Sequence, residues 1–436
     1  MKHLSKKDLT FIGLMLFSVF FGAGNLIFPP FLGQSAGENV WVALGGFLIT
    51  AVGFPILGVI AVAKTGGLES LSGRVHPVFA KIFTILIYLS IGPCLGIPRA
   101  GSLPFEMVVS PYIPADVSIQ MTRFIFTLVF FFVAYWLSSS PTKLVDRMGK
   151  ILTPTLLMLI LVIIIGAVFK PIGSYGQASG AYVNSPFVTG FLEGYLTMDT
   201  IAALHFGIVI AFAIKSKGIS EEKNVMSATI KAGFIAGALL VIIYAVLAYL
   251  GSASGGRFGE TLNGANTLTN VVTYLFGKPG AILLALLFTL ACLTTSVGLI
   301  TSCSQYFASL TSKITYKNFV RSLVFLSMVL ANMGLTQILK ISIPVLNMIY
   351  PIAIMLIVIA MLDRFFSKNY MVYPLTITFT AFISITHGLE GFGLKFGQYI
   401  FGFIPLYNEG LGWVVPGVIG LLGSYVIFKF KKGLGN

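Results

Sequence analysis

Three short runs hold the residues able to do chemistry in this chain. The first, Gly22-Ala23-Gly24-Asn25-Leu26-Ile27-Phe28-Pro29-Pro30, puts two glycines, an asparagine and a proline pair inside an apolar stretch from roughly Leu9 to Gly33. A helix opened there frees the amides of Gly22, Ala23 and Gly24 at the positive end of the half-helix that follows, a setting that suits a carboxylate. The second, Glu193-Gly194-Tyr195-Leu196-Thr197-Met198-Asp199-Thr200, interrupts another apolar stretch, and its opened carbonyls near Tyr195, Leu196, Thr197 and Met198 can accept from an ammonium. The third, Ala291-Cys292-Leu293-Thr294-Thr295-Ser296, lines up three hydroxyls. Hydroxyls are hard oxygen donors for a small cation, and they are equally able to bond their own backbone one turn back. What these runs offer is reversible holding of a small zwitterion, with close helix packing through glycine as the competing use.

Such runs need particular elements to hold them. The chain has 436 residues, 56% hydrophobic and 10% charged, with a mean hydropathy of +0.94, which makes it a polytopic membrane protein. About twelve apolar spans read at roughly 9–33, 41–63, 79–103, 121–138, 151–169, 188–214, 226–250, 279–310, 318–337, 340–361, 371–388 and 411–429. Each is near the length that crosses about 30 Å of hydrocarbon. Lipid offers a backbone amide no partner, so a break in mid-span is buried in protein or lines a watered cavity. Broken spans are where carriers hold cargo. The first and sixth spans are both broken and run in opposite directions, which suggests an inverted repeat: one membrane domain over residues 1–436, with repeat one at about 9–170, repeat two at about 188–361 and two additional helices at about 371–429. The third and eighth spans then hold equivalent places beside the broken pair. In the third, Gly92-Pro93-Cys94-Leu95-Gly96-Ile97-Pro98-Arg99 is the unusual centre, and Gly92 and Pro93 join the substrate-binding candidates. Arg99 and Glu106, near the outer end of that span, read as a gate or as an interfacial anchor, the anchor being preferred.

The net charge of +14 reports topology and not a nucleic-acid partner. About 21 of the 28 basic residues fall on one side, among them Lys2, Lys6, Lys7, Lys64, Arg74, Lys143, Arg147, Lys150, Lys217, Arg364 and Lys368, while Arg99, Arg123, Lys170, Arg257, Lys278, Lys340 and Lys395 fall on the other. By the positive-inside rule both termini are cytoplasmic. The first apolar run is too long for a cleaved signal peptide and stays as a span. Cys94, Cys292 and Cys303 lie in apolar segments without ligand spacing and read as packing thiols. His3, His76, His205 and His387 are scattered, with no His-Glu-x-x-His pair, which argues against an enzyme. A channel needs a continuous lined pore, whereas two inverted breaks imply one midplane site.

The first motif, extended to Phe21, together with Glu193 to Asp199 and with Ile91-Gly92-Pro93 to Ile97-Pro98-Arg99, closely resembles the bacterial branched-chain amino acid:cation symporter family (BrnQ, LIVCS) over essentially the whole chain. That family is similar in turn to the five-plus-five inverted-repeat transporters of the LeuT type, all-α membrane proteins with discontinuous helices 1 and 6. The resemblance implies an importer of leucine, isoleucine and valine in the bacterial cell membrane, with no cofactor and sodium as coupling ion. It also implies a sodium site built from Ser18, Phe21, Ala291, Thr294 and Thr295, with Asn25 matching an asparagine that binds a second sodium in the wider fold. Proton-coupled relatives carry a lysine on the fifth span, and Ile151 to Phe169 has no ionisable residue, which favours sodium. Asp199 and His205 remain as candidates for a proton path, or as side chains that lock the opened segment. The apolar midplane suits an apolar side chain, and one methylene there changes binding by only about 1–3 kcal/mol, so all three branched-chain acids are expected. Membrane lipid is the other expected partner, with no nucleic acid and no obligatory protein partner.

Overall fold

The computed structural model describes residues 4–139, 153–366, 371–394 and 396–433. Lys2, His3, Lys143, Arg147, Lys150, Lys368 and Lys395 lie outside the described residues, as do the first two residues of the fifth apolar span. The described residues are 83% helical, with no strand among them. Seven of the described helices are long and apolar enough to cross a membrane, and two shorter apolar helices, Thr153–Phe169 and Val414–Phe428, accompany them. The chain is a multi-pass membrane protein.

The first apolar run is two helices, α1 (Lys6–Phe20) and α2 (Ala23–Ala36). Phe21 leaves the helical region at φ −75, ψ 90 and Gly22 is extended at φ −121, ψ −157. Pro29 and Pro30 then deprive the Asn25 and Leu26 carbonyls of their helical N–H partners, so the first turns of α2 are loosely bonded. The second run is α3 (Val40–Leu48) and α4 (Phe54–Thr65), joined by a π turn at Ile49–Gly53, and α5 (Leu68–Gly73) follows. The third is α6 (Pro77–Leu89) and α7 (Gly96–Pro104), joined by a π turn at Ser90–Cys94 in which Gly92 is non-helical at φ −85, ψ −122. Next come α8 (Ile119–Ser138) and α9 (Thr153–Phe169).

The sixth run breaks as well. Helix α10 (Pro186–Glu193) tightens into a 3₁₀ turn at Gly194–Thr197, Met198 turns left-handed at φ 67, and α11 (Asp199–Lys215) resumes. A non-glycine residue held there costs about 1–3 kcal/mol, so the surrounding packing must enforce the break. Long helices α12 (Glu222–Phe258) and α14 (Lys278–Leu310) flank the short α13 (Gly264–Phe276), and α15 (Tyr316–Ala331) leads to α16 (Leu335–Phe366), α17 (Val372–Gly391), the short α18 (Phe396–Phe401) and α19 (Val414–Gly433).

Packing is reciprocal around the breaks. Helices α1 and α2 lie along α12, while α10 and α11 lie along α3 and α4. Glycine makes both contacts close: Gly33 faces the Ala248 backbone and Gly251 that of Pro30, while Gly46 faces Phe187 and Gly190 faces Ala43. Small residues that let backbones touch are how helices associate where lipid removes the hydrophobic drive. Helix α14 closes the other side by packing on α7 and α1. Cys292 and Cys303 are buried there as packing thiols, but Cys94 is exposed, because the π turn carries it outward.

Candidate functional site

The two breaks meet. Asn25 sits in the first turn of α2 at 1% exposure and spends its side chain inside the protein. Its Oδ1 accepts the Gly22 N–H at 3.0 Å, and its Nδ2 donates to Asp199 Oδ2 at 2.6 Å and to the Tyr244 hydroxyl. Tyr244, on α12, also donates to Asp199 Oδ2, at 3.3 Å. One carboxylate oxygen thus receives two donors and ties the first span, the sixth and α12 together. Two expectations change here. The Gly22 amide is capped, which leaves the first-turn amides of Ala23 and Gly24, positions without an intrahelical partner, and Asn25 is a fastener whose oxygen already serves the backbone. Asp199 makes the hydrogen bonds that a locking side chain would make.

Between the breaks lies a narrow cavity with about 30 Å³ of open volume. Of the residues singled out in the sequence, Gly22, Gly24, Asn25, Thr197, Met198 and Thr295 line it, as does Asp199. Its remaining wall is mostly apolar, from Val19, Phe20, Ile91, Ala202, Phe206 and Leu299. Gly194 and Tyr195 stay behind it. Gly194 packs on Thr50 and the Phe47 carbonyl, and Tyr195 stacks on Tyr350 at 4.4 Å between ring centres. Leu196 turns its side chain to an outer cavity of about 520 Å³ beside Glu193 and His387. Gly92 and Pro93 are also outside the lining, and Ile91 and Gly96 line it in their place. The reason is the π turn, which swings Gly92 onto α14, where an added Cβ would stand 2.9 Å from Cys303 Sγ.

Arg99 is the residue the sequence placed wrongly. It is not an interfacial anchor but a cavity wall residue, 5% exposed. Its Nη1 donates to the Leu196 carbonyl at 2.6 Å and its Nη2 to that of Thr197 at 3.4 Å, the very acceptors expected to meet an ammonium. Glu106, its supposed companion, pairs instead with Arg123 at 3.0 Å. The signal was present as a lone basic residue within a proline-kinked apolar run, but linear position put it near the span's end.

The hydroxyl run divides. Thr294 Oγ1 bonds back to the Ala291 carbonyl at 2.9 Å, which still leaves its lone pairs. Thr295 Oγ1, Ser296 Oγ and Ser18 Oγ are buried without a hydrogen-bond partner, and Thr295 stands so close to the break that a Cβ on Gly22 would lie 2.5 Å from its oxygen. Phe21 stacks on Phe17 at 5.1 Å, and its backbone turns its carbonyl out of the helix. His205 is buried with neither ring nitrogen bonded, edge-on to Tyr88 at 4.2 Å and outside the cavity lining. Glu193, overlooked as an ionisable group of the sixth span, buries its Oε2 without a partner beside the outer cavity.

Residues 5–431 match the family model described as branched-chain amino acid transport protein. The chain belongs to that family. It is 46% identical to the branched-chain amino acid permease BraB of Bacillus subtilis over 99% of this chain and 98% of that one. It is 42% identical to the branched-chain amino acid transport system 2 carrier protein of Pseudomonas aeruginosa over 98% and 97%. Among solved structures, Mhp1, a nucleobase-cation-symport-1 family transporter in a closed conformation with bromovinylhydantoin bound, aligns over 97% of this chain and 92% of its own with a TM-score of 0.62 at 14% identity. MhsT in complex with L-phenylalanine aligns over 98% and 99% with a TM-score of 0.58 at 15% identity. The fold is therefore LeuT-like, and the chain is a transporter and not an enzyme.

Proposed function

We propose that this protein imports leucine, isoleucine and valine across the bacterial cell membrane by sodium symport with alternating access. The observation that carries the reading is the cavity where the two breaks meet: backbone and charged groups at its polar end, an apolar wall from Val19, Phe20, Ile91, Ala202, Phe206 and Leu299 at the other. An apolar side chain matches the chemistry of that wall, and a polar one there would go unpaired at a cost of about 1–3 kcal/mol. The family membership supports the branched-chain class. Sodium is supported by the orphan hydroxyls of Ser18 and Thr295 beside the turned-out Phe21 carbonyl, oxygen donors without fixed charge.

Orientation with both termini cytoplasmic is supported by the way charges sort. Arg74 pairs with Asp363 at 3.0 Å and Lys217 with Asp8 at 2.9 Å, all from segments assigned to the basic side. The Ser5 hydroxyl, ahead of Lys217, holds the Asp8 carboxyl below its ordinary range, so that latch is intact at neutral pH.

Proton coupling is the second reading, and Asp199 keeps it in play because its carboxylate lines the cavity. Uptake of labelled leucine into proteoliposomes decides between them. Accumulation driven by an inward sodium gradient at equal pH is the expected result; accumulation that follows a pH gradient and ignores sodium would replace it.

A further inference from the structure

Arg99 is a buried cation with unused capacity. Its guanidinium carries five N–H donors, of which two meet the Leu196 and Thr197 carbonyls, while Nε is buried without any partner. Among the described residues no carboxylate lies within ion-pairing distance of it: Asp199 shares the cavity but is taken by Asn25 and Tyr244. A cation in the middle of a membrane protein without an anion is costly, and such residues face a bundle interior or a cargo path. Arg99 does both.

Its neighbours suggest which anion is missing. Nη2 stands 3.0 Å from the place a Cβ would occupy on Gly24, so the guanidinium edge lies against the first turn of α2, where helical N–H groups have no intrahelical partner. Gly24 is the residue that permits the approach. The guanidinium carbon lies over the Phe28 ring, 5.7 Å from its centre, which limits how the fork can turn. A planar fork beside the first-turn amides of a helix is a setting that holds a carboxylate through charge-assisted hydrogen bonds.

We infer that Arg99 binds the α-carboxylate of the transported amino acid, completing with the Ala23 and Gly24 amides a site that the first-span motif supplies only in part. The inference rests on the proposed function, in that the cargo is taken to be an amino acid. Cargoes lacking a carboxylate should then be refused by Arg99 itself, and a simple amine should not substitute for leucine even though the sixth-span carbonyls could accept it.

Competition against labelled leucine on the purified full-length protein tests this, with leucine, leucinamide, 4-methylpentanoate and 3-methylbutylamine as competitors. The wild type should prefer leucine over leucinamide by about a hundredfold, the loss expected when a buried charge pair is truncated. In Arg99→Gln that preference should fall to within about threefold, leucine weakening while leucinamide holds its affinity, and Arg99→Lys should keep an intermediate preference. A variant that keeps the full preference, or that loses leucine and leucinamide alike, overturns the assignment and leaves Arg99 as a brace for the sixth-span break. Should Arg99→Gln fail to fold, the wild type still decides: 4-methylpentanoate competing better than 3-methylbutylamine supports the carboxylate contact, and the reverse order overturns it. Absence of leucine binding by the folded wild type would overturn the substrate reading and this inference with it, whereas leucine binding with the wrong competitor order overturns the inference alone.

Discussion

Thr294 and Thr295 are neighbours with the same side chain, and their surroundings separate them. Thr294 already bonds its own helix, whereas Thr295 Oγ1 has no partner and faces Gly22. Replacement by valine keeps shape and removes the oxygen. Thr295→Val should raise the sodium concentration for half-maximal leucine uptake by about tenfold or more, since a hydrogen bond or ligand to a charged group is worth about 1.5–3 kcal/mol. Thr294→Val should raise it less. Equal sodium activation in both variants would move the ion site elsewhere. Tyr244→Phe removes the hydroxyl that joins Asn25 to Asp199, leaving a buried carboxylate oxygen one donor short. We expect a loss of about 1–3 kcal/mol in stability, read as a lower unfolding temperature in detergent, with leucine protecting the variant less than the wild type. An unchanged unfolding temperature would mean that the network is incidental. The glycines of the first break and the hydroxyl run were legible because composition alone marks them as odd in a membrane span. Tyr244 was not, because a tyrosine in an apolar helix looks like packing. Arg99 was misjudged because position along a chain measures depth only while the helix stays regular, and a π turn and a non-helical Gly92 stand just before it.

At the scale of elements, the breaks were readable and their facing residues were not. Glycine, asparagine and proline inside apolar runs announce where α1 and α2 part and where α10 gives way to α11. Which residues then face inward depends on the turns at Ile49–Gly53, Ser90–Cys94 and Gly194–Thr197, each of which changes the register by an amount no periodicity can reveal. That is why Ile91 and Gly96 line the cavity and Gly92 and Pro93 do not. The contact of α2 with α12 offers a clean trial. A methyl at Gly33 would run into the Ala248 backbone, whereas one at Gly45 meets nothing within 4 Å. Gly33→Ala should cost about 1–3 kcal/mol through overpacking and depress transport, while Gly45→Ala should be neutral or slightly stabilising as a better helix former. Unfolding temperatures of the two variants check the contrast, and a tolerated Gly33→Ala would show that α2 and α12 can part.

For the whole molecule, the first span packs along the seventh and the sixth along the second. Transport by such a machine is expected to be electrogenic. A zwitterion with one sodium moves one positive charge per cycle, and 100 mV supplies about 2.3 kcal/mol for it, enough for about a fiftyfold gradient at about 1.4 kcal/mol per tenfold. An inside-negative potential imposed at equal sodium should therefore drive leucine uptake into proteoliposomes, and no stimulation would remove one-sodium symport.

The midplane was expected to be apolar, and the cavity wall instead carries two ionisable side chains, Arg99 and Asp199. Alternating access rocks the halves around a site that stays near the midplane, so neither side chain is carried across the membrane field when the carrier reorients. The empty carrier should then return electrically silent, with all voltage sensitivity confined to the loaded stroke. Capacitive transients should appear on a solid-supported membrane only when sodium is present.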